Sequence, residues 1–453
     1  MTDEFSVESV YAELLGRAPE NKMEPRLAPL FRAMDILGEP NKAFPIIHIT
    51  GTNGKTSTAR MIEAGLRAHG LSTGRYTSPH LSKVTERISI DGAPVADDTF
   101  VRIWDEIRPY LDIVDKELLA EGQPRLTYFE CLTILGFAIF ADQPVNVAVM
   151  EVGLGGITDA TNVGDGQVSV VTPISLDHTD LLGDTTEDIA YEKSGIIKPG
   201  GFLISAAQPV DAAQVLLEKA KDVQVPFRFE GVEFGVESRT VAVGGQVVTV
   251  KGIAGRYQDL LVPLHGAHQA ENAAVAIAAL EAFLGGGEKE LDAEVLQEAF
   301  ATVTSPGRLE VVRTAPTIIV DAAHNPEGIR VSAEALHEAF SFSKLVVVVG
   351  ILKEKDAEEI LRQLKESLGD LDTEYCFTQS NSPRAVPAED LAELATDLGF
   401  GEDNIHTAPQ LDDALEWAVE RAESHEDLAG GVLVTGSITL VAEARILLGK
   451  TEV

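Results

Sequence analysis

The sequence predicts an α/β protein: a mainly parallel sheet domain with a small antiparallel appendage, followed by a smaller Rossmann-like α/β domain. Three observations carry this. Short runs rich in valine and isoleucine alternate with helical patterns, as in parallel sheets covered on both faces. The rhythm breaks once, over residues 227–250, and restarts after the turn Ser305-Pro306-Gly307-Arg308. At 453 residues the chain is also too long for one ordinary core.

In chain order, residues 45–49, 145–152, 168–174 and 202–205 are the strands expected in the first part. Helical patterns lie between them at 56–69, stopped by Gly70, at 99–119 and at 128–141. Residues 227–250 read as antiparallel, with 241–243 and 247–250 flanking Gly244-Gly245-Gln246 as a hairpin. A helix over 272–283 and the loop Gly285-Gly286-Gly287 follow. After the Pro306-Gly307 turn, strands are expected at 317–321, 345–351, 374–379 and 431–435, each followed by a helical pattern. The expected domains are therefore 1–304 and 305–453.

A net charge of -36, from 72 acids against 36 bases, repels nucleic acid and anionic lipid over most of the surface. No nucleic acid or membrane partner is expected, whereas a small anionic substrate needs only one local positive site. Cys131 and Cys376 lie far apart in apolar segments and read as reduced core residues. The amino terminus carries acids where a secretory signal needs bases. No apolar run approaches the roughly 20 residues of a spanning helix, so a cytoplasmic protein is expected, and it is taken as a monomer.

The stretch Gly51-Thr52-Asn53-Gly54-Lys55-Thr56 joins the apolar run 45–49 to a helix. A glycine turn in that position lets successive N–H groups converge on an anion, aided by the helix dipole, which makes the first domain P-loop-containing. Lys55 then reaches terminal phosphates and Thr56 offers its hydroxyl to magnesium. The alternative is a plain strand-to-helix connection. Glu151 ends the next strand, where a carboxylate faces the same crevice and can hold Mg²⁺; otherwise it is a solvated acid. His178 follows the strand 168–174, and the residues alone leave it either a ligand or an ordinary histidine, since magnesium prefers oxygen. In the second domain Asp321 runs into His324-Asn325-Pro326, a polar turn at a ligand-binding edge that also reads as a helix cap.

Together these stretches resemble the folylpolyglutamate synthase and dihydrofolate synthase family of Mur-type amide ligases. The matching segments are GTNGKTS, TSPHL (77–81), ERISIDG (86–92), TYFE (127–130), EVGLGG with DATN (151–162), ISLDHTDLLG (174–183), EKSGIIKPG (192–200), PGR (306–308), DAAHNP (321–326) and TGSITLVAEAR (435–445). The resemblance implies that ATP phosphorylates a substrate carboxylate and that L-glutamate then displaces phosphate, with dihydropteroate or a reduced folate as acceptor. It implies ATP contacts from Gly51, Thr52, Asn53, Gly54, Lys55, Thr56, Asn272, Arg308 and Asp321. It implies two Mg²⁺ sites, with Ser78, Glu151, His178 and Thr56 as ligands, and a carbamylated Lys193. Lys55, Lys193 and His178 become the catalytic candidates; a lysine paired with Glu192 is the plain alternative for Lys193.

Tyr128, Phe129 and Glu130 match a pterin-binding motif, with Thr158 and Asp159 nearby, and otherwise form the first turn of an apolar helix. His324 and Ser437 are candidates for the glutamate site. Ile157 stands where the family often has arginine, which bears on the local substrate contacts. A peptidoglycan-type Mur ligase is the nearest competing reading, but only about fifty residues precede the loop and TYFE argues against it. A nucleotide switch without chemistry is the second, and it leaves His178, Lys193 and DAAHNP without a shared task.

Overall fold

The computed structural model describes residues 6–19, 25–369, 371–423 and 430–450. They form two compact units. One contains residues 1–238, 248–260 and 271–303; the other contains 239–247, 261–270 and 304–453. Two stretches before the expected boundary at 304/305 thus group with the C-terminal residues. Within that unit Arg239 pairs with Glu338 at 2.5 and 2.7 Å, and the His265 ring stands edge-on to Phe340 at 5.0 Å.

The first unit is built on eight strands: β1 (Ile46–Thr50), β2 (Thr73–Tyr76), β3 (Ile88–Ile90), β4 (Ala93–Pro94), β5 (Val147–Glu151), β6 (Gly166–Val171), β7 (Phe202–Ser205) and β8 (Phe227–Phe229). Their order is β4-β3-β2-β5-β1-β6-β7-β8, parallel except for β3 and β4. β1 is buried throughout and pairs with β5 on one side and β6 on the other, so the carboxyl ends of three strands meet where the loop 51–54 begins. One core gathers Leu132, Phe137 and Phe140 of the helix Tyr128–Asp142 with Trp104 and Leu111 of the helix Asp97–Ala120. Fully burying such side chains contributes about 1.5–3 kcal/mol each.

A three-stranded sheet follows, with β9 (Gly235–Ala242), β10 (Gly245–Lys251) and β11 (Arg256–Val262) in the order β11-β10-β9. The expected antiparallel segment therefore starts later than 227. Phe227–Phe229 belongs to the main sheet, parallel to β7, because its alternating Phe-Arg-Phe suits an edge strand as well as a hairpin.

The second unit carries β12 (Glu310–Thr314), β13 (Thr317–Asp321), β14 (Lys344–Val349), β15 (Thr373–Phe377), β16 (Ile405–Thr407) and β17 (Gly430–Thr435) in the order β12-β13-β17-β14-β15-β16. All neighbours are parallel except β12 with β13. The strands not expected, β2, β3, β4, β11, β12 and β16, are short or carry charge. Arg75 in β2 is buried with its Nε on Glu63 of the helix Lys55–Ala68 at 2.6 Å and its Nη2 on Ser89 Oγ at 3.1 Å, partners that no local pattern reveals.

Candidate active site

The phosphate-loop candidate is fastened by its own backbone conformation and by hydrogen bonds to the neighbouring segment. Gly51 and Gly54 adopt φ of +147° and +87°, conformations that glycine reaches without a Cβ penalty. The N–H groups of Thr52 and Asn53 donate to Pro173 O at 3.0 and 3.4 Å, and Thr52 Oγ1 donates to Ser175 O at 3.0 Å. The loop is thereby tied to the segment leaving β6. Asn272 packs against the far side: a Cβ on Gly54 would lie 2.6 Å from its Oδ1.

Two lysines converge on one carbonyl. Lys55 Nζ donates to Gly51 O and Thr52 O, and Lys193 Nζ donates to the same Gly51 O, all at 3.0 Å. Lys193 is 3 % exposed, and burial, with the charge of Lys55 second, pushes its ammonium down to about 7. Its helix, Thr186–Ser194, is drawn in by the paired glycines: a Cβ on Gly156 would sit 2.6 Å from Glu192 O. Ile157, at the position expected to matter for substrate, gives its N–H to Glu192 O at 3.0 Å and packs on Gly195.

Thr56 Oγ1 lies 3.0 Å from both oxygens of Glu151, whose side chain is buried at the end of β5. Ser78 follows the end of β2, which lies beside β5 in parallel register. His178 caps the short helix Thr179–Leu182 in a left-handed conformation with φ +51°, its side chain one-third exposed and 3.9 Å from Asp177. Its backbone N–H donates to Asp177 Oδ1 at 2.9 Å.

The TYFE segment is both a helix start and an aromatic wall. Thr127 and Glu130 form a reciprocal capping box, and Glu130 also takes two hydrogen bonds of 3.1 Å from Arg26. Tyr128 lies under the Arg87 guanidinium at 5.5 Å, and Phe129 fills the space beside Gly153 where a Cβ would come within 2.5 Å. Asp159 turns inward: Oδ2 accepts from Gly153 N and Leu154 N, and Oδ1 accepts from Thr161 N, all at 3.0 Å. It shapes the loop after β5, and Thr158 beside it is half-buried. Arg26 and Arg87 escaped the sequence reading; only the ERISIDG motif contained a signal for Arg87.

The other predicted residues lie in the second unit. Asp321 accepts from Leu309 N at 2.9 Å, Ala323 N at 3.0 Å and Ser332 Oγ at 2.8 Å. Burial raises its pKa, opposed chiefly by the charge of half-buried Arg308. His324 Nδ1 meets Ala322 O at 2.9 Å. Ser437 caps the helix Ile438–Leu447, and Asn325 caps the helix Pro326–Ala339 with proline in its first turn. Gly436 N donates to Ala323 O at 3.1 Å, bringing the loops after β13 and β17 together.

A candidate phosphate loop on the central strand of a mainly parallel sheet, a threonine–carboxylate pair beside it and a C-terminal α/β unit fit an ATP-dependent ligase of the Mur type, and the comparisons with known proteins show that class. Residues 105–280 match the Mur ligase middle domain, and residues 307–438 match the Mur ligase glutamate ligase domain. The chain belongs to the dihydrofolate synthase/folylpolyglutamate synthase family. It is 43% identical over 453 aligned residues to the Mycobacterium tuberculosis dihydrofolate synthase/folylpolyglutamate synthase, covering 96% of this chain and 92% of that one. The M. tuberculosis folylpolyglutamate synthase structure complexed with ADP and AMPPCP superposes with a TM-score of 0.92 at 42% identity, over 99% of both chains. E. coli FolC in complex with DHPP and ADP gives 0.82 at 28% identity, over 98% of both.

Proposed function

We propose that the protein adds L-glutamate to dihydropteroate and to the glutamate tail of reduced folates, acting as a bifunctional dihydrofolate synthase/folylpolyglutamate synthase. The observation that carries this is the meeting of Lys55, Lys193 and the Thr56–Glu151 pair around the phosphate loop. A nucleotide switch needs the loop but not a second buried lysine on the loop's own carbonyl. The M. tuberculosis relative's name couples both activities.

In the first step a substrate carboxylate oxygen bonds to the γ-phosphorus and the bond to ADP breaks, leaving an acyl phosphate. The neutral amine of glutamate then attacks the acyl carbon; inorganic phosphate leaves and the amine loses one proton. Lys55 and the loop amides stabilise the negative charge that spreads over the transferring group. Arg308, Asp321 and Asn272 are proposed nucleotide contacts. His324 and Ser437 are proposed for glutamate, and the Tyr128–Phe129–Glu130 wall with Thr158 and Asp159 for the pterin.

The donor set suits magnesium. Thr56 and Glu151 offer oxygens only, and among the described residues no three His, Cys, Asp or Glu side chains form a ready cluster. That fits a cation taking one carboxylate and completing its shell with hydroxyls, water and phosphate. Ser78 and His178 are proposed as further ligands of two such ions, which when bound neutralise the phosphates. A lysine amine that is neutral near pH 7 can take up CO₂, forming an N–C bond and releasing one proton; the carbamate on Lys193 then presents oxygens toward the same region. No helix among the described residues is long and apolar enough to cross a membrane, and a cytoplasmic monomer is the proposed state.

The test is phosphate release from ATP with and without L-glutamate, in parallel with dihydropteroate and with tetrahydrofolate. Release is expected only with glutamate and either acceptor. Equal release without acceptors would overturn the ligase reading, and no turnover of dihydropteroate would overturn the bifunctional one.

A further inference from the structure

We propose that Arg445 is a positioning residue for ATP binding: through Glu310 it holds the backbone from which Arg308 projects. This rests on the reading of Arg308 as a nucleotide contact.

Arg308 stands between two residues in the left-handed region, Gly307 at φ +73° and Leu309 at φ +43°. A non-glycine residue persists there only where its surroundings over-determine it. One fastening comes from the end of β13. Asp321 takes the Leu309 N–H at 2.9 Å, and Ala322 N donates to Gly307 O at 2.8 Å. The second comes from Glu310, whose Oε2 accepts the Gly307 N–H at 2.7 Å.

Glu310 is itself held. Arg445 Nε meets its Oε2 at 2.8 Å and Nη2 meets Oε1 at 3.3 Å, a two-point pairing that leaves the carboxylate one orientation. Arg445 sits in the last turn of the helix Ile438–Leu447 and is 1 % exposed. For helix packing alone a buried guanidinium is a poor choice beside leucine or methionine, because its desolvation offsets much of the pairing. What arginine adds is a rigid fork that aims Glu310 Oε2 at Gly307.

The experiment combines amide hydrogen exchange with ATP kinetics in R445M, R445K, E310Q and R308A. In R445M the amides of 305–309, Pro306 having none, are expected to exchange at least tenfold faster, while β14 and β17 keep their protection. KM for ATP should rise several-fold with a smaller change in kcat, and R445K should recover part of it. Adding R445M to R308A should raise KM no further. E310Q, at a side chain 22% exposed, should give the same local exchange even if R445M folds poorly. Unchanged exchange at 305–309, loosening spread equally over the C-terminal sheet, or independent multiplication of the R445M and R308A effects would overturn the proposal. R308A alone tests the underlying reading: normal ATP KM and kcat there would remove that reading and the inference with it.

Discussion

Replacing Gly51 with alanine probes whether the phosphate loop is shaped by steric exclusion. At φ +147° the new Cβ would lie 1.8 Å from Thr172 Oγ1 and 2.9 Å from both the Thr172 Cβ and its carbonyl oxygen. The hydroxyl can swing aside, breaking its 3.3 Å bond to Thr50 O, but the carbonyl belongs to the chain leaving β6. The backbone conformation costs about 1–3 kcal/mol for a non-glycine residue, and overpacking a full site adds about 1–3 kcal/mol. A loss of about 4 kcal/mol is therefore expected in the first unit. The function should suffer more, because the Gly51 carbonyl is the shared acceptor for Lys55 and Lys193. Urea unfolding gives the first quantity and calorimetric titration with ADP the second, with affinity expected to fall at least tenfold. Adding Thr172→Ala should restore about 1–2 kcal/mol, the hydroxyl's share of the clash, and little of the affinity. A Gly51→Ala protein within 0.5 kcal/mol of the parent, with unchanged ADP affinity, would refute the steric argument.

Two further outcomes are expected. Lys193→Met should keep the fold and lose most turnover; in the parent enzyme, phosphate release in degassed buffer should recover on adding bicarbonate, and recover less as pH falls through about 7, where the amine becomes protonated. Indifference to bicarbonate across pH 6–9 would sink the carbamate reading. His48, wholly buried in β1 with Nε2 2.8 Å from Thr161 Oγ1, is pushed down to about 3 by burial. Between that value and the ordinary histidine pKa of about 6.5 the unfolded chain binds more protons than the folded one, so stability is lost as pH falls through the window. The loss should approach about 4–5 kcal/mol near its lower end, and His48→Gln should flatten the urea-midpoint profile; an identical profile in the variant would exclude His48 as its source.

Much of the site could be read locally because its signals are local. A glycine turn between an apolar run and a helix, an acid ending a strand, and Asn325-Pro326 opening a helix each occupy a few neighbouring residues. Their physics, converging N–H groups or a cap, acts over one turn of chain. The helix Tyr128–Asp142 shows the limit. Thr127 and Glu130 announce its capping box, yet Arg26, which holds Glu130, is 104 residues away, and the cation over Tyr128 comes from β3's entry at Arg87. Charged short strands were missed for the same reason, since buried Arg75 meets Glu63 of the helix Lys55–Ala68.

By itself, then, the sequence determined the α/β alternation, the glycine loop, the residues proposed for phosphate and metal chemistry, and the family they resemble. Only the tertiary structure decided which of them meet. It brought Lys193 onto a carbonyl 142 residues earlier and paired Arg445 with Glu310, 135 residues before it. It also lowered the Lys193 pKa, because the cost of a buried charge depends on what surrounds the group in space, and chain order does not record those surroundings.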